Sequence, residues 1–134
     1  MMTSKEDLES YLLRMGVDYD EVDENMWLIK PTDSAGVVVN FTPPVVLLRL
    51  KVMELPRANN GMLAPFYRRL LELNASDIVH GSYGIEENDV VLSDALELED
   101  LDYSELRSSY ESMVLAATSH VQELAGLIPV AHEG

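Results

Sequence analysis

The sequence has no cysteine. That excludes a disulfide framework, thiolate zinc sites and a cysteine nucleophile. Basic residues are scarce: 9 Lys and Arg stand against 24 Asp and Glu, a formal charge of −15. Such a field repels phosphate backbones and anionic lipid, so neither nucleic acid nor membrane is an expected partner. Long apolar runs are missing too. Runs such as Val45 to Leu48 and Val37 to Val39 fall far short of the roughly 20 residues of a spanning helix. The opening stretch Met1-Met2-Thr3-Ser4-Lys5-Glu6-Asp7 turns acidic at once and carries no apolar signal core. A soluble, cytoplasmic protein is the expectation.

Catalytic signatures are also lacking. The three histidines, His80, His120 and His132, are scattered, and no pair has metal-ligand spacing on one helix face. Gly81-Ser82-Tyr83-Gly84 is neither a phosphate loop nor a GxGxxG fingerprint, and no GxSxG elbow occurs. The acidic stretch from Asp18 to Glu24 fails as a calcium loop. Counted from Asp18, position 5 is Val22, position 6 is Asp23 and position 12 is Ile29, where oxygen ligands and a glycine are needed. No carboxylate pair stands out for hydrolytic chemistry. The expectation is a protein that is not an enzyme and carries no cofactor and no metal.

What is present is core material: 134 residues, 47% hydrophobic, enough for one domain over 1–134 without staples. Thr3 and Glu6 have capping-box spacing, and Leu8, Tyr11, Leu12 and Met15 follow on one helical stripe ending at Gly16. Asp18 to Asn25 has the alternation of a short edge strand. Strand-like runs follow at Met26 to Lys30, Gly36 to Phe41 and Val45 to Leu55, separated by Pro31-Thr32-Asp33-Ser34 and Thr42-Pro43-Pro44. The short connections favour an antiparallel meander. A second helix reads from Asn60 to Leu73, with Pro65 in its first turn and Asn74 as terminator. Strands at Asp77 to Ile85 and Asp89 to Leu98 flank a hairpin loop. The last helix opens at Asp102, with Glu105 as capping partner and a Leu101–Leu106 staple, and runs to Ile128. The tail from Val130 to Gly134 is expected to fray. The whole is an α+β domain, a twisted antiparallel sheet with helices packed mainly on one side.

Charge distribution adds a candidate surface. Arg49, Lys51, Arg57, Arg68 and Arg69 lie in one segment with Glu54 as its sole acid. These residues either pair with acidic neighbours in the fold or form a partner surface. In the long strand, Val46, Leu48, Leu50 and Val52 read as the core face. Val45, Leu47, Arg49, Lys51 and Met53 form the other, half apolar and half basic. That second face is the candidate site for a protein partner, whose identity the sequence does not give.

Several segments of the C-terminal half carry a family likeness: Leu70-Leu71-Glu72-Leu73-Asn74, Gly81-Ser82-Tyr83-Gly84-Ile85, Asp89-Val90-Val91-Leu92, Leu96-Glu97-Leu98-Glu99-Asp100-Leu101-Asp102 and Glu105-Leu106. This pattern resembles the YbjN family, which is related in fold to the class I type III secretion chaperones (the Tir-chaperone group). The N-terminal half agrees in element order. The resemblance implies an α-β-β-β-α-β-β-α domain, a homodimer, and capture of extended partner segments without catalysis. It also implies a dimer contact through the second helix and the strand from Ile78 to Tyr83. The candidates there are Met62, Phe66 and Leu70 with Ile78, His80 and Tyr83, unless the helix stripe is one wide core face. The competing functional reading is a regulatory domain that senses a ligand or metal through its acidic clusters.

Overall fold

The computed structural model describes residues 1–30, 36–56 and 60–129. Residues 31–35, Arg57 and residues 130–134, where turn, charge and fraying were expected, lie outside the described residues. Helix α1 is Lys5–Arg14. Strands β1 (Tyr19–Asp23), β2 (Met26–Ile29), β3 (Val37–Thr42) and β4 (Val45–Glu54) follow. Then come a 3-10 turn at Asn60–Leu63, α2 (Ala64–Ser76), β5 (Ser82–Glu86), β6 (Asp89–Glu97) and α3 (Tyr103–Gly126). The six strands form one antiparallel sheet ordered β1-β2-β3-β4-β6-β5. The expected mixed architecture is present, and the acidic Tyr19–Asp23 segment is an edge strand.

One face of the sheet carries the core. Trp27, Val39, Leu48 and Asp94 are consecutive cross-strand partners on that face, as are Ile29, Val37, Leu50, Leu92 and Tyr83. The apolar members of both rows are buried with Leu8 and Leu12 of α1, Phe66, Leu70 and Leu73 of α2, and Leu106, Met113 and Leu124 of α3. All three helices therefore lie over the same face. Ser109 of α3, fully buried, donates to Asp94 Oδ2 at 2.7 Å and ties that helix to β6.

Local signals moved at four places. The capping box is Ser4 with Asp7, not Thr3 with Glu6. Thr3 is drawn away because its N–H donates to the Leu98 carbonyl at 2.9 Å and its hydroxyl to the Leu101 carbonyl at 3.0 Å. Asn74 does not end α2, which continues to Ser76. Strand β5 starts at Ser82 rather than Asp77. At Gly81, φ is +86° and an added Cβ would stand 2.4 Å from the Ser93 carbonyl oxygen. Only a glycine fits a turn that close to a neighbouring strand. The last helix has Asp102 as its N-cap, accepting from the Glu105 N–H at 2.7 Å, and stops at Gly126.

Candidate partner-binding surface

The face of the sheet away from the helices is built from the alternate residues of each strand. Leu28 of β2 pairs with Val38 of β3, Val38 with Arg49 of β4, and Arg49 with Ser93 of β6. One step along, Asn40, Leu47 and Ala95 form the next cross-strand row. Val45, Leu47, Arg49 and Lys51 thus share this open face, as the period of two requires. Leu47 is 38% exposed, and Leu28, Val38 and Val45 are half-buried.

Met53 does not join them. The register slips between Lys51 and Met53, so Lys51 faces Val91 while Met53 faces Val90. One extra residue in β4 inverts the alternation beyond it. Val90 is fully buried, and Met53 packs against the core on the helix side. The candidate face ends at Lys51.

Its charges are paired. Arg49 bonds Glu86. Lys51 reaches Glu54 at 2.7 Å and Asp89 at 3.4 Å, and the Glu54 contact chiefly raises its pKa. Farther on, Arg68 lies 3.9 Å from Glu72 and Arg69 2.8 Å from Glu123. The described members of the basic segment therefore find acidic neighbours. Exposed pairs of this kind contribute little to stability, because water and salt screen them. What distinguishes the face is apolar surface that no helix among the described residues covers.

The second candidate set divides. Phe66 is fully buried, Leu70 is 4% exposed and Tyr83 6%. These three belong to the chain's own core, so a partner cannot rest on them directly. The wide stripe on α2 is one core face over Leu63, Phe66, Leu70 and Leu73. Ile78 and His80 are half-buried, in a segment that is not strand. Met62 is exposed, as are Leu71, Val79 and Leu115 nearby in sequence or on α3.

Among the described residues, no three or more His, Asp or Glu side chains are grouped to hold a metal ion. Asp20 bonds Lys30, and Glu21 meets Lys5 at 3.4 Å. No described helix is long and apolar enough to cross a membrane.

The family model CesT_Tir_1 matches residues 1–128. The chain belongs to this type III secretion chaperone family. No curated protein matches it in sequence. Solved structures share the fold. One chain of the ExoU–SpcU complex from the type III secretion system of Pseudomonas aeruginosa superposes with a TM-score of 0.68. The identity is 13%, covering 90% of this chain and 97% of that one. YbjN from E. coli gives 0.67 at 14% identity, covering 92% and 96%. A chain from the Yersinia pestis type III secretion chaperone SycH bound to a stable fragment of YscM2 gives 0.60 at 14%, covering 84% and 94%.

Within this chaperone-family fold, two polar devices around β5 were missed by the sequence reading, which gave Asn74 a helix-terminating role and Tyr83 a dimer contact. Asn74 Oδ1 accepts from the Tyr83 N–H at 2.7 Å, and its Nδ2 donates to the Tyr83 carbonyl at 3.1 Å. The carboxamide thus stands in for a neighbouring strand at one residue of the β5 edge. The Tyr83 hydroxyl lies 2.8 Å from His120 Nδ1, and His120 Nε2 is 3.6 Å from Asp77 Oδ2. Burial pushes the Tyr83 hydroxyl up to about 12. This chain of groups joins α2, β5 and α3. The spacing of Asn74 and Tyr83, nine apart across a turn, was the available signal.

Proposed function

We propose that this chaperone-family protein binds an extended segment of a partner protein on its open sheet face, without catalysis, as a cytoplasmic homodimer. The observation that carries the reading is the apolar patch of Leu28, Val38, Leu47 and Val45, which no described helix covers while all three helices crowd the opposite face. Uncovered apolar area of this kind gains free energy when a partner takes it out of water, about 25 cal/mol per Å². Membership of a secretion-chaperone family supports a protein as the occupant. The SycH structure, a chaperone holding a fragment of another protein, supports it by likeness of fold.

The test is a tagged pull-down from the native cytoplasm, read by mass spectrometry, with a Val38→Asp, Leu47→Asp double variant alongside. A protein retained by the wild type and lost by the folded variant supports the reading. Identical retention by both sinks it. Light scattering tests the dimer: the expected mass is twice 15.0 kDa, and a clean monomer at micromolar concentration contradicts it. The exposed Met62, Leu71 and Val79 are the residues we assign to the contact between copies.

A further inference from the structure

Strand β6 runs on after the strand beside it has stopped. The last pair between them is Ser82 with Ser93, and at Gly81 the chain has left the sheet. Asp94 to Glu97 still pair with β4, so among the described residues this stretch of β6 has a free edge. At the corner lies a hollow of about 430 Å³, lined by Leu47, Gly81, Ser82, Ser93, Asp94 and Ala95. That volume is in the range of small-molecule sites.

The hollow holds a carboxylate without a cation. Asp94 is half-buried and ends the row Trp27, Val39 and Leu48 on the helix side of the sheet. Its Oδ2 accepts from the fully buried Ser109 hydroxyl at 2.7 Å, which fixes the carboxylate in place. Among the described residues, no donor is paired with its other oxygen. The basic side chains of the same strands and of α3 are engaged elsewhere: Arg49 with Glu86, Lys51 with Glu54 and Asp89, Arg107 with Glu111. Partial withdrawal of a carboxylate from water costs free energy, which a bound cation offsets.

The rest of the lining suits one kind of cation. Ser82 and Ser93 are cross-strand partners on the open face, and among the described residues neither hydroxyl has a hydrogen-bond partner. An alkylammonium has three donors and no acceptor. One carboxylate oxygen and two hydroxyls answer all three. Leu47 and Ala95, also cross-strand partners and both exposed, offer an apolar wall to a short alkyl chain. Gly81 keeps the space beside the carboxylate clear, since a Cβ there would stand 3.3 Å from the Asp94 Cβ.

We propose that this hollow binds a short primary alkylamine in its ammonium form, with Asp94 as counter-ion and Ser82 and Ser93 as acceptors. Such amines are protonated at neutral pH, as lysine is. The site stands apart from the partner-binding reading. Leu47, which the two share, is left unchanged in every variant. A lysine side chain of another protein offers the same ammonium, and the experiment separates the two sources.

Butylamine hydrochloride is titrated into the full, isotope-labelled chain at neutral pH and physiological salt, which screens the general field of the acidic surface. Backbone amides are followed by NMR. Shifts are expected at Gly81, Ser82 and Ala95, half-saturating below about 10 mM. Asp94→Asn keeps the shape and removes the charge. Ala95→Leu keeps the charge and fills the hollow from an exposed position. Each is expected to bind at least about tenfold more weakly, with circular dichroism checking the fold. If Asp94→Asn does not fold, Ala95→Leu carries the test. Glu24→Gln, which removes one exposed charge from the β1–β2 turn, is expected to bind as wild type does. No half-saturation by about 10 mM, equal shifts with butyrate, or equal weakening by Glu24→Gln overturns the proposal, as does unchanged binding by a folded hollow variant. Nα-acetyl-lysine methylamide is the second arm. Binding about tenfold tighter than butylamine assigns the hollow to a partner's lysine and overturns the free-amine reading; equal or weaker binding supports it.

Discussion

Replacing Asn74 with alanine removes two hydrogen bonds that hold β5 to the end of α2, 2.7 and 3.1 Å long. Both partners are main-chain groups of Tyr83, and the two bonds are part-buried at the sheet edge. Each bond contributes about 1 kcal/mol net, and a group left unpaired away from water costs about 1–3 kcal/mol. Water reaches the edge in part, so the expected loss is about 2 kcal/mol. The single Trp27, 1% exposed on β2, reports unfolding far from the substitution. Urea titration followed by its fluorescence should show a lower midpoint at unchanged slope. The melting temperature should fall by about 6–10 °C for a chain of this size. Asn74→Asp keeps the acceptor for the N–H but faces the carbonyl with a carboxylate, so it should not recover the loss at neutral pH. A change below about 0.5 kcal/mol for Asn74→Ala refutes the claim that this side chain substitutes for a strand.

Phe66→Asp should unfold the chain rather than split a dimer, since burying a charge in place of a fully buried ring costs well over the about 3–5 kcal/mol of Phe→Ala; circular dichroism decides. Gly81→Ala should cost about 2 kcal/mol or more, because φ is +86° and the new Cβ meets the Ser93 carbonyl at 2.4 Å; thermal melting measures it. Tyr83 has a folded pKa raised to about 12 from 10 by burial. Its contribution to stability is complete below pH 10 and lost as pH rises through 12. Tyr83→Phe should therefore flatten the fall in stability across that window, read by urea titrations at successive pH values. Ser109→Ala strands the Asp94 carboxylate without its 2.7 Å donor and should cost about 1.5–3 kcal/mol by the same titration.

Much of the fold was legible because its signals are periodic. The stripe Leu8, Tyr11, Leu12 and Met15, the valine runs and the proline breaks each specify one local answer. Where two answers satisfy one rule, the sequence was ambiguous. Thr3 with Glu6 and Ser4 with Asp7 both fit a capping box, and only the Leu98 and Leu101 carbonyls, far along the chain, choose between them. The same holds for the site. Alternation placed Val45, Leu47, Arg49 and Lys51 together correctly, but the slip before Met53 depends on its register with Val90 and Val91. No glycine or proline marks it. The stripe on α2 exposed a second limit. Periodicity shows that Phe66 and Leu70 face something apolar, and the sheet beneath them settles what. The free edge of β6 was invisible because it arises from a difference in length between two paired strands.

Partner chains are proposed to rest on the open sheet face. A photo-crosslinking residue introduced at Leu47, and at the exposed Leu13 of α1 as control, tests it most directly in cells that hold the native partner. An adduct to one partner protein is expected from position 47 and none from position 13. An adduct from position 13 with none from position 47 would contradict it.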